Sequence, residues 1–198
     1  MLDSGTALQG VDGSRVLSID AMGGDNGPAT VVAGLSLFLK KNPGTQVMLH
    51  GRAKELTPLL AKHGLTDIVI LRDASDVVTM HDKPSHVVRH GKATSMWSAI
   101  EAVHTGEAGV VVSCGNTGGL MAMSMLRLRK IDGVNRPAIA CLWPSRNKQG
   151  FNVMLDAGAD IRADQDDLLI YALMGTSYAR NAFDLKRPRV GLLNVGTE

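Results

Sequence analysis

The sequence predicts an α/β fold with an open, mainly parallel sheet and helices on both faces, in a Rossmann-like three-layer arrangement with a possible β-hairpin insertion. Short apolar runs rich in Val, Ile and Leu alternate with segments of helical period, which is typical of successive βαβ units. Aromatic residues make up only 4% of the 198 residues. Aliphatic side chains and methionines must therefore fill the core, as they do in a sheet covered by helices.

The elements follow one another from residue 15, after a leader of residues 1–14 that lacks the features of a secretory signal. Apolar β-branched runs predict the strands, and turn or capping residues mark the ends of the helices. The predicted strands are 15–20, 45–51, 68–71, 109–113, 137–143, 151–156 and 188–195. The predicted helices are 28–40, 53–63, 85–90, 94–105, 117–130 and one that Asp164 caps and that runs to Phe183. The link 144–150 is short enough for a hairpin.

Length, charge and cysteine content restrict the class of protein. We expect one α/β domain over residues 15–198, truncated at its carboxyl end because no helix follows the last predicted strand. A net charge of +2 is too small for the whole surface to bind nucleic acid or membrane by electrostatics alone. Cys114 and Cys141 lie far apart without a Cys-x-x-Cys pair, which indicates free thiols in a reducing compartment.

The first candidate site is the glycine-rich turn after the first predicted strand, Asp20-Ala-Met-Gly-Gly-Asp-Asn-Gly-Pro28. Ligands of open α/β sheets bind where strands end and helices begin, because unpaired N–H groups point there and glycines let a ligand approach. The spacing is not Gly-x-Gly-x-x-Gly, and the two acids would repel a bare phosphate. A plain turn with Asp25 or Asn26 capping the helix is an equally good interpretation. The candidate residues are Asp20, Gly23, Gly24 and Asp25.

The second candidate site, Ser113-Cys-Gly-Asn-Thr-Gly-Gly119, has the same order of strand, glycine turn and helix. Its backbone N–H groups and the side chains of the Asn-Thr pair could bind a phosphate or an oxyanion. The alternative is a glycine turn that serves close helix–strand packing, although such a turn does not require Asn next to Thr. We consider this the better anion site. The candidate residues are Gly115, Asn116, Thr117 and Gly118.

The third candidate site is a basic cluster that follows a polar stretch, 73–83, with no regular period. A long polar loop in a compact domain is more often functional than idle, so its tip is a candidate lid. Ser85 and Arg89 lie four residues apart on one helix face, where a single ligand could meet both. A solvated basic face is an equally good interpretation. The candidate residues are Lys83, Ser85, Arg89, Lys92 and Ser95.

Two later strands are predicted to end in a similar way, with a polar side chain and a glycine at the strand exit. Parallel strands exit toward one edge of a sheet, so these residues would share a site with the first two turns. Each exit taken singly is as well explained by an ordinary turn. The candidate residues are Asp156, Gly158, Asn194 and Gly196.

Cysteine and histidine chemistry is not favoured. Cys114 precedes the Gly-Asn-Thr turn as a nucleophile precedes an oxyanion hole, but no His neighbours it in sequence, and a packed free thiol is the better interpretation. The histidines form no zinc motif, since His86 and His90 are four residues apart without an evident third ligand. We predict neither a metal site nor a cofactor.

Five of these segments, taken in order, resemble the PlsX phosphate acyltransferase family. They are Ile-Asp-Ala-Met-Gly-Gly-Asp at 19–25, Lys-Pro-Ser at 83–85, Gly-Asn-Thr-Gly at 115–118, Leu-Asp-Ala-Gly-Ala at 155–159 and Pro-Arg-Val-Gly-Leu-Leu-Asn-Val-Gly at 188–196. Each motif is short, but five in register over nearly the whole chain are specific. The sequence departs from the family at Cys114, where a small inert residue is more common, and at Asp160, where Asn is common.

The resemblance implies a bacterial cytoplasmic enzyme of phospholipid synthesis that transfers an acyl group from acyl carrier protein to orthophosphate. It also implies a homodimer, with peripheral membrane association through a carboxyl-terminal part that this chain lacks. Phosphate or the thioester oxyanion would be held by Asn116, Thr117 and Gly118. Charge would be balanced by Lys83, Arg89 or Lys92, and a proton accepted by Asp20 or Asp25.

Two other functions remain open from the residues alone. A nicotinamide-dependent dehydrogenase has a similar α/β build, but the first turn lacks the dinucleotide glycine spacing. A non-catalytic module that only binds acyl carrier protein or a membrane would show partner binding without any dependence on phosphate.

Overall fold

The computed structural model describes residues 15–134, 137–157 and 163–193. The predicted leader, residues 1–14, lies outside these ranges. The chain divides into two compact units between Arg129 and Lys130. The sheet and the candidate turns at its edge belong to the first unit.

The first unit contains a four-stranded parallel sheet in the order β3-β2-β1-β4. Its strands are β1 (Val16–Asp20), β2 (Gln46–Gly51), β3 (Val69–Asp73) and β4 (Val110–Ser113). The predicted open parallel sheet is thus confirmed. Because β1 pairs with both β2 and β4, the turns that follow β1 and β4 lie side by side at one edge.

Five α-helices of the first unit connect or follow these strands, with a short 3-10 turn at Gly91–Ala93. They begin within a residue of the predicted positions, since proline occupies the first turn of both α1 and α3 and Thr94 Oγ1 accepts the Trp97 N–H to cap α4. The helices are α1 (Gly27–Lys41), α2 (Ala53–Lys62), α3 (Pro84–His90), α4 (Ser95–His104) and α5 (Thr117–Arg127).

Helices cover both faces of the sheet, as the three-layer prediction requires. On one face, Val47 and Leu49 of β2 pack with Val32 of α1 and Leu56 of α2. On the other face, alternate residues such as Met48 pack against Ala102 of α4. The period of two along each strand separates the two faces and gives each its own apolar cluster.

Helix α5 ends earlier than predicted, at Arg127 rather than residue 130. Arg129 adopts a left-handed backbone conformation with φ of 65°, which a helix cannot continue through. The inner face of α5 places Met123 against Val87 of α3 and Met96 of α4. Met125, Leu126 and Leu128 are exposed beyond that face. The outer apolar side at the end of α5 is therefore not covered by the described residues.

The second unit contains the predicted hairpin and a long helix. Strands β5 (Ala140–Pro144) and β6 (Phe151–Leu155) pair antiparallel, and the Ser145 N–H donates to Gly150 O at 2.9 Å to close the link. Helix α6 (Gln165–Phe183) begins where predicted, because Asp164 Oδ1 accepts the N–H groups of Asp166 and Asp167. Both predictions are confirmed.

The predicted strand 188–195 does not form over its described part, 188–193, where the backbone is irregular. Val190, Leu192 and Leu193 are 63%, 75% and 77% exposed. The apolar pattern predicted burial, but a strand also needs a neighbour to accept and donate its backbone hydrogen bonds. Residues 194–195 lie outside the described ranges.

Among the described residues, no helix combines the length and the apolar character needed to span a membrane.

Candidate active site at the carboxyl edge of the sheet

The first two candidate turns meet at the carboxyl edge of the sheet, because Asp20 and Ser113 are aligned in the parallel register of β1 and β4. A Cβ built on Gly23 would lie 2.8 Å from both Cα and N of Gly115. Gly24, with φ of 96°, would place a Cβ 3.0 Å from the carbonyl oxygen of Cys114. Such close approach tolerates no side chain, so glycine is required on both sides of this contact.

A chain of hydrogen bonds joins the two turns behind the glycines. Ser113 Oγ donates to Asp20 Oδ2 at 2.8 Å, and Ser113 Oγ also accepts the Gly115 N–H at 3.0 Å. Asp20 Oδ1 accepts the Met22 N–H at 3.2 Å. Asp20 is only 2% exposed, so these donors replace the water that a buried carboxylate loses. Asp25, in contrast, is exposed.

Asn116 caps α5 and at the same time holds the loop that precedes α3. Its Oδ1 accepts the Gly119 N–H at 2.9 Å, the standard N-cap bond. Its Nδ2 group donates to three loop carbonyls, those of Thr79 at 3.0 Å, Met80 at 3.3 Å and Asp82 at 2.9 Å. Two hydrogens are shared among three acceptors, which leaves the side-chain amide no free donor for an anion.

The donors that α5 leaves open are backbone groups. Within residues 15–134, the N–H groups of Thr117 and Gly118 have no hydrogen-bond partner, as expected in the first turn of a helix. They lie directly after the Gly115 turn, at the end of α5 where the helix dipole is positive. An anion can therefore bind at this edge through backbone N–H groups, with Asn116 as a positioning residue.

The third candidate segment packs against this helix start. A Cβ on Gly118 would lie 2.9 Å from Pro84 Cγ, so Lys83 and Ser85 flank a proline that touches α5. Lys83, Ser85 and Arg89 line one polar depression of about 410 Å³ together with His81, His86 and His90. Asp82 lies in it too, and the Thr79 N–H at 2.7 Å holds the pKa of that carboxyl below its usual value.

The other members of the third segment lie apart from that depression. Lys92 is exposed on the 3-10 turn. Ser95 is fully buried at the first residue of α4, and its Oγ has no hydrogen-bond partner among the described residues. Lys92 and Ser95 are therefore close to the basic cluster in sequence but do not line the polar depression.

The later strand exits belong to the second unit or lie outside the described residues. Asp156 follows β6 with φ of 60°, and its N–H donates to Ile139 O at 2.9 Å. Gly158, Asn194 and Gly196 lie outside the described ranges, as does Asp160.

An apolar cavity of about 550 Å³ opens beside the paired turns. Leu17, Ile19 and Val112 line it from the sheet, and Val31 and Phe38 line it from α1. Gly23, Gly24, Ser113 and Cys114 form its rim. Cys114 is exposed there rather than packed in the core, which corrects the sequence interpretation of a buried thiol.

His50 is the one strongly perturbed titratable group in the core of the first unit, within the residues described. The Ser18 hydroxyl donates its hydrogen to Ala99 O at 2.8 Å. Ser18 Oγ therefore accepts from Nε2–H of His50 at 2.9 Å. Nδ1 then carries the lone pair and accepts from Ser98 Oγ at 2.8 Å. Burial, and secondarily the charge of Arg72, lowers the pKa of His50 from 6.5 to about 4, so the ring is neutral.

No group of three or more His, Cys, Asp or Glu side chains placed to hold a metal ion occurs in residues 15–134, 137–157 and 163–193. At the sheet edge, Asp20 accepts hydrogen bonds from Met22 and Ser113, and the polar depression contains the cations Lys83 and Arg89.

The family whose description is "Fatty acid synthesis protein" matches residues 15–198 of the chain. The chain belongs to this family. Three relatives named "Phosphate acyltransferase" are similar to it: 66% identical in Jannaschia sp. (strain CCS1), 68% in Paracoccus denitrificans (strain Pd 1222) and 66% in Ruegeria sp. (strain TM1040). These matches cover 100%, 92% and 98% of this chain but 54%, 50% and 52% of the relatives. The resemblance predicted from the five motifs is confirmed, and the chain spans about half the length of these curated relatives.

Within this member of the fatty acid synthesis protein family, the structure brings together the turns after β1 and β4 and the Lys83–Ser85 segment. Sequence reasoning missed the role of Ser113, which joins Asp20 to Gly115, and the contact of Pro84 with Gly118. Both lie inside segments that the motifs single out, but nothing in a linear pattern states which atoms meet across 93 residues.

Proposed function

We propose that the chain provides the phosphate-binding part of an acyltransferase that converts an acyl-[acyl carrier protein] and inorganic phosphate to acyl phosphate for bacterial phospholipid synthesis. The observation that carries the proposal is the pair of open N–H groups at Thr117 and Gly118, held beside the Asp20–Ser113 pair at the sheet edge. The names of the relatives supply the reaction class.

The reaction needs position and charge rather than a covalent enzyme intermediate. A phosphate oxygen attacks the thioester carbonyl carbon, a C–O bond forms, and the C–S bond breaks. The sulfur leaves as a thiolate and takes up the proton that hydrogen phosphate loses. Fixed N–H donors that hold the phosphate, or the oxyanion on the carbonyl carbon, lower this barrier without reorganisation.

The described residues divide this work by their surroundings. Thr117 and Gly118 offer N–H donors, while Asn116 fixes the start of α5 through its four hydrogen bonds. Asp20 is hydrogen-bonded directly to Ser113 at the turn after β4, which makes it the better candidate for the proton acceptor than exposed Asp25. Lys83 and Arg89 supply positive charge from the neighbouring depression.

Acyl carrier protein, a homodimer, a cytoplasmic location and peripheral membrane association complete the proposal. A family of fatty acid synthesis proteins supports a carrier-bound donor, because acyl groups travel on such carriers. The exposed apolar residues Met125, Leu126 and Leu128, at and just after the end of α5, support a further protein surface covering that helix. We propose no cofactor, since the reaction transfers an acyl group without oxidation or reduction.

The test removes one N–H donor and leaves the helix intact. Thr117 is the first residue of α5, where proline is well tolerated, and Asn116 has a ψ of 109°, outside the α region that a following proline disfavours. Thr117→Pro deletes the N–H, whereas the matched control Thr117→Ala removes the hydroxyl and keeps the N–H. Acyl phosphate formation from palmitoyl carrier protein is measured in this chain and in a version completed to the length of its relatives.

We expect turnover by the completed enzyme, with kcat lowered on the order of a hundredfold by Thr117→Pro and only a few-fold by Thr117→Ala. Equal rates for both variants would remove the Thr117 N–H from the mechanism. Absence of turnover in the completed enzyme, together with phosphate-independent binding of carrier protein, would favour the binding-module alternative.

A further inference from the structure

The cavity beside the paired turns exists because α1 does not cover the whole of its sheet face. Leu17 and Ile19 are aligned with Val110 and Val112 in the parallel register, so all four side chains belong to the same face. Helix α1 packs over β1 and β2, while Val110 and Val112 stay 44% and 43% exposed. The space between α1 and β4 is the cavity of about 550 Å³, which is within the usual size of a small-molecule site.

The side chains that line the cavity determine which part of a ligand can bind in it. The bore is lined by Leu17, Ile19, Val31, Leu35, Phe38 and Val112. No Lys, Arg or His lines it among the described residues, and the charged side chains of its lining are the acids Asp20 and Asp25. A phosphate group in the bore would therefore find no cation, whereas an alkyl chain would bury its surface against aliphatic walls.

The rim of the cavity is continuous with the anion-binding edge. Gly24 at the rim approaches the Cys114 carbonyl, and Gly23 approaches Gly115, one residue before the cap of α5. A chain seated in the bore would present its carbonyl end at the turn after β4, from which α5 begins at Thr117. The two halves of an acyl phosphate, one apolar and one anionic, match the two halves of this surface.

We propose that this cavity binds the hydrocarbon chain of the acyl donor, and that Gly34 of α1 determines how long a chain it accepts. The proposal rests on the acyltransferase function above and adds the place and the length limit of the acyl group. It excludes the polar depression around Lys83 and Arg89 as the place of the chain, because that depression is lined by charged and polar side chains.

Gly34 is the position where the cavity can be filled at least cost. It follows Val31 and precedes Phe38 on the same face of α1, and all three line the cavity. A Cβ built there meets no atom within 4 Å. A larger side chain would enter the bore without displacing protein atoms, and replacing a mid-helix glycine also favours the helix.

The experiment compares Gly34→Leu with Ala29→Leu, which adds the same side chain to an exposed position of α1 that does not line the cavity. Binding of hexyl-, decyl- and hexadecylphosphonate is measured on the chain itself. Turnover of hexanoyl, decanoyl and hexadecanoyl carrier protein is measured on the enzyme completed to the length of its relatives. Melting temperature and oligomeric state of each variant are recorded alongside.

For the parent chain we expect affinity to rise about fourfold per methylene until the bore is filled. Gly34→Leu should weaken hexadecylphosphonate at least about tenfold, leave hexylphosphonate within about twofold, and shift the turnover preference toward short chains. Ala29→Leu should change neither profile.

An unchanged chain-length profile in Gly34→Leu overturns the proposal. So does an equal loss at every chain length accompanied by a lower melting temperature or an altered oligomeric state, because a second copy or another protein segment would then fill the cavity. The two proposals can also fail separately. If the completed enzyme shows no turnover but binding depends on chain length and Gly34→Leu removes that dependence, the acyltransferase function is rejected and the cavity assignment is retained.

Discussion

Asn116 connects a helix start to a loop through one side-chain amide. The oxygen serves α5 and the nitrogen serves the carbonyls of residues 79, 80 and 82, so each end of the group has its own task. Only an amide offers an acceptor and two donors on one short side chain, and at 8% exposure water replaces little of this. The loop before α3 is therefore fixed to the same residue that orients the N–H donors.

This division of tasks predicts different effects for two substitutions at position 116. Asn116→Asp keeps the cap acceptor but turns the three loop contacts into repulsion between oxygens, so α5 should persist while the loop loosens. Asn116→Ala loses the cap as well as the loop contacts, and loss of the cap should lower the free energy of unfolding by ~1 kcal/mol. Hydrogen exchange of residues 76–82 and of α5, measured separately, reads out the two effects.

Equal loss of protection in α5 and the loop for Asn116→Asp would contradict this prediction. Asn42→Asp at the exposed end of α1 is the matched control, since its amide bonds only Phe38 O. That variant should leave exchange in both segments unchanged.

At the scale of elements, two strand–turn–helix units touch through glycines. The Gly23 contact involves backbone atoms of Gly115, which cannot rotate away as a side chain can. The turns after β1 and β4 can therefore approach closely only because these positions are glycines. The hydrogen bonds of Ser113 then stabilise that contact.

Gly23→Ala should therefore destabilise the first unit by roughly 1–3 kcal/mol, because its Cβ would lie 2.8 Å from Asp20 Oδ2 and from Gly115. Gly34→Ala is the matched control and should stabilise α1 by up to about 1 kcal/mol, because its Cβ meets open space. Urea unfolding of both variants measures the difference. A loss of the same size in each would show that helix or turn propensity, rather than the close approach, determines the cost.

The sequence predicts an element well when residues within that element determine it, and poorly when distant residues do. Strand and helix periods are local, so β1 to β4, the hairpin and the Asp164 cap were predicted within a few residues. The end of α5 depends on the left-handed Arg129, and the irregular backbone of 188–193 depends on pairing partners, neither of which a local period contains. In the site, the glycine turns were predictable as motifs, but the three carbonyls bound by Asn116 come from a loop without any period.

At the scale of the whole first unit, the hydrogen bonds of His50 join β1, β2 and α4 through Ser18 and Ser98 in the middle of the core. The folded state holds this ring neutral, with its pKa lowered to about 4, whereas the unfolded chain protonates it near 6.5. The unfolded state thus binds more protons between these values. Stability that is present above pH 6.5 is lost as the pH falls toward 4.

Acidification from pH 7 to 4 should therefore cost the first unit about 3 kcal/mol through His50 alone. Trp97 fluorescence in a Trp143→Phe background follows unfolding of that unit, since these are the two tryptophans of the chain. His50→Gln should flatten the pH dependence in this window, while His104→Gln, at the exposed end of α4, should retain it. A parental slope in His50→Gln would assign the acid sensitivity in this window to titratable groups other than His50.

The position of β4 beside β1 has a consequence for biogenesis. The hydrogen bond from Ser113 to Asp20 spans 93 residues, so β1, β2 and β3 can pair on a ribosome while β4 is still untranslated. During that interval β1 is an unprotected sheet edge, the kind of surface that recruits other chains. The arrival of β4 covers the edge and juxtaposes the two glycine turns in one event. The two glycine turns therefore meet only after β4 has been translated, and from then on β4 is the edge strand on that side of the sheet.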